Sequence, residues 1–187
     1  MGTKKRLGVG DDQDLKQDGV ALILEQWARE RPDLDVSPMG VVGRVSRLSR
    51  IFEREIQEVF SSFGLHRGEF DVLATLRRTG VPYQLNPSEL SNALMVSSGG
   101  MTNRLDRLEK AGLVARQPDR NDRRGTVVKL TEKGLRLVDE IVTEHVSNER
   151  RLLRALGERE QGELAELLAE LLLSLEPRQH RPSLKRN

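Results

Sequence analysis

The stretch at residues 86–134, NPSELSNALMVSSGGMTNRLDRLEKAGLVARQPDRNDRRGTVVKLTEKG, constrains this chain more than any other. Its pattern predicts two short helices, a strand, a basic loop, a second strand and the start of a long helix. Asn86, Pro87 and Glu89 form a start signal: Asn86 caps, Pro87 suits the first turn, and Glu89 reaches back to close a capping box. Ser97 and Ser98 can cap a second helix, which Gly112 ends. The expectation is helix, short turn, helix.

The second helix sorts its residues by face. At about 100° per residue, Met101, Leu105 and Leu108 make one apolar stripe. Asn103, Asp106, Arg107 and Lys110 point away from it, with Thr102 at the edge. That face suits the major groove of duplex DNA. There Asn103 and Arg107 read base edges, while Ser97, Ser98, Thr102 and Lys110 hold phosphates. An ordinary solvated face would carry similar residues, so the following segment decides. Leu113, Val114 and Ala115 lead into Arg116, and residues 126–130, TVVKL, form a β-rich run. Between them lies PDRNDRRG, a turn-forming segment with Arg120, Arg123 and Arg124. Residues 97–130 carry eight cations against four anions, a net +4 in a chain that is +2 overall. A hairpin with a basic tip beside a reading helix is a winged helix-turn-helix, whose tip (Arg123, Arg124) can enter the minor groove. Asp122 orients Arg124 rather than cancelling it.

The segment SSGGMTNRLDRLEKAGLVARQPDRNDRRGTVVKLTEKG resembles the MarR family of winged-helix transcription regulators, and the resemblance extends over about residues 26–175. It implies a homodimer that binds a palindromic operator in double-stranded DNA, usually as a repressor, and in many members releases DNA when a small phenolic or anionic molecule binds.

Composition fits this reading. A length of 187 residues can hold one core, or one core plus a dimerisation module. Aromatics are 3%, too few for a single-strand binder built on base stacking. The absence of cysteine excludes disulfides and thiolate metal sites. His66, His145 and His180 are scattered, so no metal site is expected, and no cofactor. No apolar run reaches the length of a membrane span and residues 1–10 lack a hydrophobic region, so the expectation is a cytoplasmic protein without a membrane partner. Nucleophile–base pairs, metal-ligand spacings and phosphate loops are missing too, which argues against an enzyme.

The fold expected is mainly α with a small β-wing, flanked by N- and C-terminal dimerisation helices. Residues 1–17 read as a tail and residues 177–187 as a second, basic one. Residues 18–62 hold two helices. The first carries Val20, Ile23, Leu24 and Trp27 at helical spacing and ends at Pro32; the second opens at Ser37 with a stripe of Val41, Val45, Leu48, Phe52, Ile56 and Val59 expected to be buried. Residues 63–130 form the reading head. Its first helix starts at Gly64 and Leu65 with Phe70, Leu73 and Ala74 on its core face, and residues 81–85 are a loop. Residues 131–176 supply two more helices, divided at Gly157, with more leucines than a small head can cover. They are expected to pair with a second copy.

Arg104 sits about 60° from the centre of the apolar stripe, on the inward side, and is poorly placed to read bases. A partly buried guanidinium needs an anion, and Asp71 is a candidate, as partner to Arg104 or Arg116. Residue chemistry alone reads this as a structural ion pair, and Trp27 as core. The resemblance adds another reading. A urate-responsive branch of the family is marked by a Trp, an Asp and two Arg, which Trp27, Asp71, Arg104 and Arg116 match in type and element. This implies an effector-binding pocket for a small anion, urate or a related aromatic or polycarboxylate, between the dimerisation helices and the head. Two alternatives stand beside it: a winged-helix regulator without an effector, and a winged-helix protein-interaction module.

Overall fold

A computed structural model describes residues 17–119 and 125–176. The expected tails and the wing tip with Arg120, Asp122, Arg123 and Arg124 lie outside the described residues. The chain divides into two compact units, Met1–Glu53 and Arg54–Asn187. The boundary falls inside one continuous helix.

In the first unit, α1 (Gly19–Glu30) is capped by Asp18, whose Oδ1 accepts from the backbone N–H groups of Val20 and Ala21 at 2.8 and 2.9 Å. Its Oδ2 accepts from Arg44 Nε at 2.6 Å, on the long helix α2 (Ser37–Ser62), so one carboxylate both starts α1 and ties it to α2. Val20 fits against Gly43, which leaves room for it on α2. The expected stripe on α2 is present as a pattern, but its N-terminal half is not buried: Val41, Val45 and Leu48 are exposed. Periodicity predicts which face is apolar; burial needs a second surface.

The second unit holds α3 (Arg67–Arg78), β1 (Gln84–Leu85), α4 (Pro87–Leu94), α5 (Ser98–Lys110), β2 (Val114–Pro118), β3 (Thr126–Leu130), α6 (Glu132–Leu152) and α7 (Glu158–Leu175). The sheet is antiparallel in the order β1-β3-β2. Arg116 lies opposite Val128 in the β2–β3 hairpin, and Leu85 opposite Val128 on the other side. β1 corrects the expected loop at 81–85. The hairpin leaves one edge of β3 open, and Gln84 and Leu85 close it with backbone bonds. α3 begins three residues after the glycine that suggested its start, and Val72, Thr75 and Leu76 are buried along with Phe70 and Leu73. The helix is surrounded on most sides by α4, α5, α6 and β3, so a one-sided apolar face understates its burial.

The core joins Phe60, Leu73, Leu76, Leu90, Met101, Leu105, Leu108, Val128, Val138 and Ile141, all 1% exposed or less except Leu105 at 2%. Phe60 and Phe70 stack at 4.2 Å. At the base of the wing Thr131 caps α6, its Oγ1 accepting from Gly134 N–H at 3.0 Å, and a Cβ at Gly134 would collide with the carbonyl of Leu113. On α6, Val138 and Ile141 are buried while Val142 is exposed, and α7 has no buried residue.

Candidate nucleic-acid interface and anion site

Local capping sets the geometry of the helix-turn-helix. Asn86 Oδ1 accepts from Glu89 N–H at 2.8 Å, and Glu89 Oε2 accepts from Asn86 N–H at 2.9 Å, which fixes the start of α4. Met95 closes α4 in the left-handed region at φ 51°. Ser97 Oγ then accepts from Gly100 N–H at 3.3 Å and starts α5. The face assignment holds: Met101, Leu105 and Leu108 are buried, while Ser97, Ser98, Thr102, Asn103, Arg107 and Lys110 are exposed. Thr102 Oγ1 donates to the Ser98 carbonyl at 2.9 Å. Between α4 and α5 runs an open groove of about 340 Å³ edged by Ser88, Ser91, Asn92, Ser98 and Thr102, a hydroxyl- and amide-rich lining suited to phosphate oxygens. Ser88, Ser91 and Asn92 were not among the expected contacts. Their i, i+3, i+4 spacing at the start of α4 was the available signal.

Arg107 is more constrained than a solvated side chain. Its Nη1 lies 3.4 Å from Oε1 of Glu69, whose side chain is only 8% exposed, while the arginine side chain is 65% exposed. Glu69 Oε2 also accepts from His66 N–H at 2.9 Å, so one buried carboxylate starts α3 and steadies an exposed arginine of α5. Glu69 was missed in the sequence, although His66-x-x-Glu69 has the spacing of a helix start.

Arg116 does not meet Asp71. Its Nη2 bonds Asp106 Oδ1 at 2.6 Å and its Nη1 bonds Glu109 Oε2 at 2.6 Å, while Glu109 Oε1 accepts from the Arg116 backbone N–H at 3.0 Å. The bonds to Asp106 and then to Glu109 push the guanidinium pKa up. The expected clamp through Asp71 is thus replaced by one to α5, because the tight turn at Gly112 (φ 71°) folds β2 back alongside the end of that helix. Nor does Asp71 pair with Arg104: among the described residues it has no ion pair within 4.0 Å. Burial pushes its carboxyl pKa up, and the charges of Arg67, Arg104 and Arg78 offset this only in part. The Arg104 guanidinium lies across Gly68, where a Cβ would be 2.5 Å from its Cζ. A half-buried carboxylate and an arginine with neither hydrogen bond nor ion pair among the described residues therefore belong to the same head. Trp27 stands on α1, 41% exposed.

Among the described residues no group of His, Cys, Asp or Glu could hold a metal ion, and no helix is long and apolar enough to cross a membrane. A capped helix-turn-helix, an exposed polar reading face and a three-stranded wing define a winged helix-turn-helix DNA-binding protein. The sequence pattern of the MarR family matches residues 65–126. Over 149 residues the chain is 48% identical to the HTH-type transcriptional regulator PecS of Dickeya dadantii, covering 80% of this chain and 90% of that protein. AbsC, a MarR family transcriptional regulator from Streptomyces coelicolor, superposes with a TM-score of 0.68 at 25% identity, covering 76% of this chain and 96% of that one. A mutant MarR from E. coli complexed with operator DNA superposes at 0.60 with 28% identity, over 78% and 97% of the two chains. The chain belongs to the MarR family: it is a DNA-binding transcription regulator, not an enzyme.

Proposed function

We propose that this regulator is a repressor that binds a palindromic operator as a homodimer and is released by a small anion, urate or a related aromatic or polycarboxylate. The observation that carries the DNA half is α5, whose polar face of Thr102, Asn103, Arg107 and Lys110 is exposed while its apolar stripe is buried. Two copies would present these helices about one DNA turn apart, roughly 34 Å, with Arg123 and Arg124 of each wing, oriented by Asp122, in the flanking minor grooves. The exposed leucines of α7 supply an apolar surface for the pairing.

The anion half rests on Arg104 and Asp71. A bound anion would draw Arg104 off Gly68 and repel the Asp71 carboxylate, and because Arg104 is part of α5, its movement tilts the reading helix. Arg116 takes part only by leaving Asp106 and Glu109. Trp27 is proposed to stack on a flat ligand. Weakening DNA binding about a hundredfold requires the anion to prefer the non-binding arrangement by about 2.7 kcal/mol, within the range of measured couplings.

The test is a DNA-binding titration on a duplex selected from a randomised library, with and without urate, salicylate or citrate. The parent should lose affinity with at least one of them. Asp71→Asn and Trp27→Ala should keep their DNA affinity and respond less. Equal responses in parent and both variants would remove the assigned anion site, and no response in the parent would leave a regulator without an effector.

A further inference from the structure

We infer that Asp106, Glu109 and Arg116 form a strut that sets the angle of the wing on the recognition helix, making Arg116 a positioning residue for sequence-selective DNA binding. β2 is an edge strand, because the sheet order is β1-β3-β2. Glu109 Oε1 takes the N–H of Arg116 at 3.0 Å, in place of a strand on that side. The second oxygen of the same carboxylate takes Nη1 at 2.6 Å, and Asp106, nearly one helical turn earlier, takes Nη2 at 2.6 Å. Three bonds from two residues of α5 converge on one residue of β2. Other ties at the wing base lie nearer the turn: Thr131 Oγ1 donates to the Gly112 carbonyl at 2.8 Å and Lys133 Nζ to that of Ala111 at 2.9 Å, and Thr131 N–H donates to the Leu113 carbonyl at 3.1 Å. They hold the hinge, while the strut acts further out along the strand and so fixes the direction in which the hairpin projects.

The chemistry separates this device from an incidental surface pair. Two carboxylates on the helix that faces a polyanion weaken binding to every duplex, so their presence there is electrostatically adverse. The guanidinium is planar and engages both acids at once, a geometry that a lysine ammonium does not reproduce. Arg116 is 30% exposed, so the bonds are screened less than those of a fully solvated pair. This inference rests on DNA binding and is independent of any effector.

The experiment compares affinities of the full-length protein for two duplexes: one selected from a randomised library by the parent, and a scrambled duplex of equal length and composition. Asp106→Asn with Glu109→Gln removes two negative charges. If these acids are merely surface charges, affinity rises for both duplexes in proportion. With the strut, affinity for the selected duplex falls roughly tenfold relative to the scrambled one, whose own affinity is unchanged or higher. Arg116→Lys keeps the net charge and tests the fork alone. It should also lose most of the preference for the selected duplex, and it carries the test if the double variant fails to fold. Retention of the parent's preference by Arg116→Lys, or a proportional rise on both duplexes in the double variant, would overturn the strut.

Discussion

In the reading head, Leu73, Leu76, Leu90, Leu105 and Leu108 are all 2% exposed or less, whereas in α7 Leu167, Leu172, Leu173 and Leu175 are each more than half exposed. The residue type is the same and so is the helical spacing. What differs is that the head closes its core within one chain, with α3 packed against α4, α5, α6 and β3, while α7 offers a leucine face with nothing buried on it. The N-terminal half of α2 resembles α7 in this respect, with Val41 and Val42 at 60% and 67% exposure. Apolar area on that scale is rarely left to water in a stable protein. The head thus closes its core within this chain, whereas the flanking helices carry apolar faces that the chain itself leaves uncovered.

The largest expected effect tests the closed side of the contrast. Leu73→Ala should cost about 2–5 kcal/mol, because α3 is held on most sides and the cavity has little room to collapse. Urea unfolding monitored by circular dichroism measures it, and a loss below about 1 kcal/mol would mean the head is more loosely packed than its burial suggests. The open side predicts a smaller effect of a different kind. Leu168→Glu with Leu171→Glu should leave the unfolding of a dilute, separated chain within about 0.5 kcal/mol of the parent. Sedimentation at working concentration should nevertheless shift towards monomer, and the dependence of Tm on protein concentration should vanish. A double variant that sediments like the parent would move the pairing surface away from α7.

The two regions were also unequally legible in the sequence. Caps at Asn86 and Ser97 were readable because donor and acceptor lie within three residues, so local chemistry decides them. The inward and outward faces of α5 followed from periodicity, and every expected outward residue of that helix is exposed. Partner choice was not legible. Arg116 was directed to Asp71 on charge alone, but charge carries no direction, and the Gly112 turn delivers it to Asp106 and Glu109 instead. β1 was hidden because two residues of strand have no alternation to read; Gln84 and Leu85 are a strand only because β3 has an open edge. Burial along α2 and α7 could not be read, since amphipathicity names a face and says nothing of what covers it.

The smallest effect contrasts two carboxylates, one in each unit. Hydrogen bonds from Arg44 and from the N–H groups at the start of α1 hold Asp18 below the usual carboxylate range, so its contribution is present above its unfolded pKa and lost as pH falls through the folded one. Asp71 has the opposite sign. Burial raises its folded pKa, so its contribution is complete below the unfolded value and lost as pH rises through the folded one. Acidification through the carboxylate range should therefore loosen α1 while relieving Asp71 in the head. Trp27, the single tryptophan of the chain, lies on α1 and reports the first event by fluorescence. Asp18→Asn is the control, because asparagine caps a helix about as well as aspartate but cannot pair with Arg44 through a charge. Its Trp27 signal should already be partly shifted at neutral pH and should change less on acidification than the parent's. Identical acid profiles would mean that α1 is held by Val20 and its apolar contacts rather than by the doubly used carboxylate at its start.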